Sequence, residues 1–278
     1  MKLSPVGSTS CWVAAARAME SESADALFSD PFARTLAGEA GFAMVKSAAG
    51  ELLRSADPRN AYLSIRTRFI DDLIVRAVAE RGIRQVVMVA AGMDARAFRF
   101  DWPADLRWFE VDRAEIFERK EAVLAEKGAV PRCARAVVRA DLEHDWIAPL
   151  TEAGFDAARL ALFVIEGLLV YLEPAAVEKL MGTVAELAAP GSGVVADVVN
   201  EDMLTSVYTR EMMTRLAEMG CGWRFATSSP QAFFERFGWR ATLHTPDDPD
   251  VGHGRWPHPK VPESVPGIPR SYFVVGWR

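Results

Sequence analysis

Gln85-Val86-Val87-Met88-Val89-Ala90-Ala91-Gly92-Met93-Asp94 is the stretch on which the fold turns. Beyond Gln85 the run to Ala90 is apolar and rich in β-branched residues without alternation, as a strand covered on both faces should be, and Gly92 opens a loop directly after it. Upstream, Asp57-Pro58 supplies an N-cap and a first-turn proline. Apolar residues then recur at Tyr62, Ile65, Phe69, Ile70, Leu73, Ile74, Ala77 and Val78 as far as Gly82, the spacing of one amphipathic helix. Downstream, residues 106–111 read as a second strand. A helix follows over 112–127, with Asp112 as N-cap and Glu115 completing a capping box, and Gly128 ends it.

The same rhythm continues. Strands are predicted at 136–140, 160–165 and 194–199. Pro174 opens a helix whose Val177, Leu180, Met181, Val184, Leu187 and Ala188 share one face until Pro190-Gly191. Residues 239–244 and 271–277 read as closing strands, joined by a loop carrying Pro246, Pro249, Pro257, Pro259, Pro262, Pro266 and Pro269. The pattern predicts an α/β chain: a Rossmann-like, doubly wound, mainly parallel seven-stranded sheet whose last strand is antiparallel. Residues 1–56, Ala-rich and helical in pattern, form a predicted N-terminal cap segment. A second cap is expected at about 200–230, where Met203, Met212, Met213, Met219, Trp223 and Phe225 would either cover a pocket or simply pack on the core. The proline-rich loop is long enough to border a substrate site.

Composition narrows the function. The 278 residues carry a formal net charge of −6, which disfavours a nucleic-acid partner. The longest apolar runs fall short of the roughly 18 residues a membrane span needs, and the N-terminus lacks a signal-peptide pattern, so a cytoplasmic protein with no membrane partner is expected. Cys11, Cys133 and Cys221 are widely spaced, which suggests neither a disulfide framework nor a metal site.

In an open α/β sheet, ligands bind beyond the carboxyl ends of the strands. A pyrophosphate loop there would want three spaced glycines, and only Gly92 is present. Asp112 lies 20 residues past Gly92, where a carboxylate meets ribose hydroxyls, unless it only caps its helix. Asp141-Leu142 offers an acceptor and an apolar side chain for a base, or a plain turn. Arg66 falls within the apolar stripe of its helix and needs an anion, either a protein carboxylate or a ligand's. Glu166, in an apolar run, would suit a ligand ammonium or a buried protein donor. Together these positions describe a ligand with a carboxylate, an ammonium, a ribose and a base but no phosphate, namely S-adenosylmethionine.

The sequence also resembles the leucine carboxyl methyltransferase-like family of class I S-adenosylmethionine-dependent methyltransferases, in its bacterial O-methyltransferase branch. The likeness runs through Ala14-Ala15-Ala16-Arg17-Ala18, Asp30-Pro31-Phe32-Ala33, Arg66-Thr67-Arg68-Phe69-Ile70-Asp71-Asp72 and Ala91-Gly92-Met93-Asp94-Ala95-Arg96-Ala97-Phe98-Arg99. It continues in Phe109-Glu110-Val111-Asp112, Ala140-Asp141-Leu142, Ile165-Glu166-Gly167-Leu168-Leu169-Val170-Tyr171-Leu172 and Gly222-Trp223-Arg224-Phe225. It implies that residues 57–278 form the cofactor-binding methyltransferase domain. Arg66 would hold the methionine carboxylate, Gly92 would border the cofactor, Asp112 would take the ribose, Asp141 and Leu142 the adenine, and Glu166 the methionine end. The family's usual Gly-x-Gly is Ala90-Ala91-Gly92 here, and Ala95 replaces a common Thr or Ser. The expected function is O-methylation of a carboxylate or hydroxyl on a small, aromatic or polyketide-like metabolite of secondary metabolism, such as antibiotic biosynthesis. Alternatives are a protein C-terminal carboxylate as acceptor, a non-catalytic S-adenosylmethionine-binding module, and a nicotinamide oxidoreductase, against which the missing glycines count. Tyr171, Met203, Trp223 and His253 are candidate acceptor contacts. His144, His244, His253 and His258 are candidate bases, and the sequence singles out no catalytic residue among them.

Overall fold

The computed structural model describes residues 3–46 and 61–278. The predicted N-cap at Asp57-Pro58 and the boundary at 56/57 lie outside the described residues. In chain order the helices are α1 (Pro5–Ser21), α2 (Ala33–Lys46), α3 (Ala61–Glu80), the single-turn α4 (Arg96–Arg99), α5 (Ala114–Glu126), α6 (Ile147–Glu152), α7 (Pro174–Leu187), α8 (Glu201–Thr205), α9 (Arg210–Glu218), α10 (Pro230–Glu235) and α11 (Pro249–Gly252). The strands are β1 (Gln85–Val89), β2 (Arg107–Asp112), β3 (Ala134–Arg139), β4 (Ala161–Ile165), β5 (Gly193–Val199), β6 (Arg240–His244) and β7 (Ser271–Trp277).

They form one seven-stranded sheet in the order β3-β2-β1-β4-β5-β7-β6. The pairs from β3 to β5 are parallel, while β7 runs antiparallel to both β5 and β6, as the sequence predicts. Every residue of β1, β4 and β5 is buried, which explains their apolar runs, broken within β5 only by Asp197: helices cover both faces. On one face α1, α2, α3 and α5 pack through Ala14, Leu36, Ile65, Ile70, Ile74 and Ile116; on the other α6, α7 and α10 pack through Leu150, Val177, Met181, Val184 and Phe234. Strand order reverses direction at β1 and β4, so the loops after these strands diverge and leave a crevice between them. No helix among the described residues is long and apolar enough to cross a membrane.

One local expectation fails. Asp112 ends β2 instead of capping α5, whose N-cap is Arg113 with no side-chain cap bond, and the capping box with Glu115 does not form. The Asp112 carboxylate is turned toward the preceding loop and accepts hydrogen bonds from the N–H of Gly92 and of Arg113, both at 2.7 Å. Arg68, two residues beyond Arg66 on α3, is half-buried, donating to Asp72 at 2.7 Å and to the Leu27 carbonyl at 2.7 Å.

Candidate functional site

A cavity of about 590 Å³ lies where the strand order places the crevice, lined by the residues that follow β1 through β4 and by one side of α1. Arg66, Gly92, Asp112, Asp141, Leu142 and Glu166 all line it. The loop after β1 is tight. Gly92 takes a left-handed φ of 49°, and a Cβ there would come 3.0 Å from the Ser10 Cβ of α1. Ala90 is also left-handed, at φ 59°, a conformation that costs a non-glycine residue about 1–2 kcal/mol; the strain falls at the first position of the family's usual Gly-x-Gly. Burial pushes the Asp112 carboxyl up, opposed by its two backbone hydrogen bonds. Beyond β3, Asp141 and Leu142 are half-buried; Asp141 also accepts from the Glu143 N–H at 3.0 Å, so the turn reading holds alongside the placement on the cavity.

Arg66 and Glu166 meet, which the sequence left open. Arg66 Nε donates to Glu166 Oε1 at 3.1 Å, and Nη1 donates to Asp197 Oδ2 at 2.8 Å. Glu166 Oε2 accepts from Arg96 Nη1 at 2.7 Å, so both of its partners here are guanidiniums of the protein. Arg96 binds Asp94 and Asp71 as well, each at 2.6 Å. Arg99 then pairs with Asp71 and lies 3.8 Å from Asp30, which accepts from Arg17 of α1 at 2.9 Å. An alternating chain of charge therefore runs from α1 beneath the cavity to β5. Isolated, such buried charges would be costly; in alternation each has a partner. Although burial would raise the Glu166 carboxyl, Arg96 and Arg66 hold it at about 2, so it is ionised at neutral pH. The Asp94 carboxyl, by contrast, is pushed up by burial despite Arg96.

Gly167 makes room for this arrangement. Its φ is 63°, and a Cβ there would lie 3.2 and 3.3 Å from Nη1 and Nη2 of Arg66. Gly167→Ala is therefore expected to lower stability by about 1–2 kcal/mol through backbone strain alone and to push the guanidinium off its partners. Urea denaturation reads the first effect; an unchanged midpoint would mean that the turn relaxes freely.

The remaining cavity wall is apolar and aromatic. Val199, Met203, Met212, Trp223, Trp256 and Trp12 line it. The segment after β5 thus covers the pocket with Met203, Met212 and Trp223, while its Phe225 packs in the core. Tyr171 lies on the 3-10 turn after β4, where burial pushes its hydroxyl up. His253 does not reach the cavity. It is exposed, at the left-handed end of α11, because Arg255 ties the loop back to Glu20 and Asp25 and brings Trp256 and His258 onto the cavity instead. His258 meets Trp256 edge to face at 5.2 Å. His244 packs on Phe69 at 5.1 Å, and neither it nor His144 lines the cavity. Arg17, Asp94, Asp197, Trp256 and the α1 wall are among the cavity residues that sequence reasoning missed, together with Arg96 behind them.

The order of strands, the lone antiparallel strand and the position of the cavity define the Rossmann-like fold of methyltransferases. The crystal structure of a candidate methyltransferase from Thermobifida fusca shares this fold, with a TM-score of 0.57 at 20% identity over 96% of this chain and 94% of that one. The chain belongs to the leucine carboxyl methyltransferase family, whose model matches residues 10–185. A Parafrankia protein named as a candidate S-adenosyl-L-methionine-dependent methyltransferase is 47% identical over 67% of this chain and 61% of its own length. A Mycolicibacterium gilvum protein of the same name is 35% identical over 99% of this chain and 96% of its own. The chain is thus a methyltransferase, and S-adenosylmethionine is the methyl donor of its class.

Proposed function

We propose that this chain transfers the methyl group of S-adenosylmethionine to a carboxylate or hydroxyl oxygen of a small acceptor with an aromatic or polyketide-like body. The observation that carries this reading is one cavity with two chemistries. Carboxylates and a guanidinium sit at the ends of β1 to β4, and tryptophans and methionines line the rest. The first part suits the donor. Gly92 and Gly167 line it where a Cβ would press on Ser10 and on the Arg66 guanidinium, Asp112 would face the ribose, and Arg66 with Glu166 offers opposite charges to an amino-acid end. The second part suits a flat apolar molecule. The N-terminal helices and the segment at about 200–230 serve as its caps, and the sheet with its flanking helices as the donor-binding domain.

Bound S-adenosylmethionine supplies a methyl group on a sulfonium, already electrophilic. The chain has then to hold the acceptor oxygen in line and exclude water. Trp12 and Thr9 of α1, Met203 and Trp223 close over the cavity and do the second. A carboxylate acceptor needs no base, whereas a hydroxyl needs one. Asp94, Asp112, Asp141, Glu166 and Asp197 are each bound to guanidiniums or backbone N–H groups, and Tyr171 is held protonated by burial, so a proton would leave through the His258 imidazole or the exposed Glu143 carboxylate of the lining.

Thermal unfolding tests the donor reading. S-adenosylmethionine or S-adenosylhomocysteine at a hundredfold its dissociation constant is expected to add about 2.7 kcal/mol, with no shift from NAD; no shift with any ligand would overturn it. For the acceptor, incubation with methyl-labelled donor and pooled aromatic acids and phenols is expected to give labelled small molecules. Release of the label by mild alkali marks an ester and retention an ether. Label found only on intact proteins would overturn the small-molecule reading.

A further inference from the structure

Asp197 has no role in the reading above, yet it is the point at which three parts of the site meet. It sits on β5, where Val194, Ala196 and Val198 pack into one core and Val195 into the other, so Asp197 occupies an alternate position on the α3 face of a wholly buried strand. It is 6% exposed. Its Oδ2 accepts from Arg66 Nη1 at 2.8 Å and from the Tyr62 hydroxyl at 3.2 Å, and its Oδ1 accepts from the Gly167 N–H at 2.6 Å. One carboxylate therefore fixes both the guanidinium and the turn against which the guanidinium lies.

The consequence for Arg66 is directional. Nε is held by Glu166 and Nη1 by Asp197, and Nη2 has no hydrogen-bond partner among the described residues, although Arg66 lines the cavity. Without Asp197, Arg66 would keep only Glu166, which Arg96 shares. We propose that Asp197 is a positioning residue that presents the free edge of Arg66 to the carboxylate of the donor's methionine end. The inference rests on the donor reading above. A guanidinium already clamped on two edges loses little freedom on gripping an anion, so its preorganisation is expressed as affinity for the amino-acid end of the ligand and not for the nucleoside.

That division gives the test. Calorimetric affinities are measured for wild type and Asp197→Asn, using S-adenosylhomocysteine and 5′-methylthioadenosine, which keeps the nucleoside and lacks the carboxylate and ammonium. The amide side chain keeps an acceptor for Gly167 and loses the charge that clamps Arg66. The expected result is a loss of about tenfold or more for S-adenosylhomocysteine, the effect of one charge-assisted hydrogen bond, with 5′-methylthioadenosine unchanged. Equal losses for both ligands would mark a merely structural residue and overturn the proposal, as would no loss for either. If the asparagine variant does not fold, Asp197→Ser, which leaves a hydroxyl for Gly167, carries the same comparison. Failure of the wild type to bind either ligand would instead overturn the donor reading.

Discussion

Arg96→Met is expected to cost about 3–5 kcal/mol, the largest loss of stability from any single change at the site. Arg96 is 2% exposed and bonds Asp71, Asp94 and Glu166 at once. Methionine can fill part of the volume, but it leaves three carboxylates with less positive charge than they were folded around. Removing one partner from a buried network is far costlier than replacing the whole network by apolar groups. The loss should depend on pH in a defined direction. The Glu166 carboxyl is held at about 2, below its ordinary value of 4.5, so its contribution to stability is fully present above about 4.5 and disappears as the pH falls toward 2. Without Arg96 its folded-state value rises and that contribution shrinks. Asp94, already pushed up by burial, would be pushed further and would protonate more readily. The gap between wild type and variant is therefore widest near neutrality and narrows on acidification. Urea midpoints at pH 7 and pH 4 measure it. A gap below about 1 kcal/mol at pH 7 would mean that water already relieves these charges, and a gap that widened in acid would contradict the coupling of Glu166 to Arg96.

Arg96 also shows where sequence reading stopped. The parallel strands were legible because burial on both faces leaves a continuous apolar run, as at Val86–Val89 and Ala161–Ile165. Arg66 and Glu166 were legible as charges needing partners, since each stands out from apolar surroundings. Their partners were not. Arg96 lies in a single helical turn, too short for periodicity to give its direction, and Arg17–Asp30 closes across the space between α1 and the loop before α2. Asp197 did leave a signal: a carboxylate within a strand of otherwise apolar residues, on the face that α3 covers with Arg66. Read together with Arg66, it was the natural counter-ion. The capping of α5 by Asp112 failed for another reason. A residue between strand end and helix start satisfies both a cap pattern and a ribose pattern, and only the backbone direction separates them. In the proline-rich loop no period exists, so nothing in the sequence distinguished His253, which faces solvent, from Trp256 and His258, which face the cavity.

Asp112→Ala is expected to have the largest effect on donor binding, about two to four orders of magnitude in affinity. Each oxygen of Asp112 already holds one backbone N–H, from Gly92 and from Arg113, and keeps a further lone pair, which in the proposed donor site would take one of two adjacent ribose hydroxyls. Two hydrogen bonds to a charged acceptor are worth about 1.5–3 kcal/mol each. The alanine variant also releases the Gly92 N–H, so the left-handed loop after β1 loses the anchor that sets its distance from the ligand. Because the ribose belongs to both ligands, affinity for S-adenosylhomocysteine and for 5′-methylthioadenosine should fall together, the opposite of the selective loss expected at Asp197. Burial raises the Asp112 carboxyl above its ordinary 3.8, and a protonated acid loses its charge and one of the four acceptor sites that two N–H groups and two hydroxyls would use; wild-type affinity should therefore weaken as the pH falls, beginning above 3.8. Calorimetry on both ligands across this range decides the matter. Unchanged affinities in Asp112→Ala would leave Asp112 as a tie for the Gly92 loop alone. A loss confined to S-adenosylhomocysteine would place the amino-acid end of the donor over β2 and reverse its orientation in the cavity.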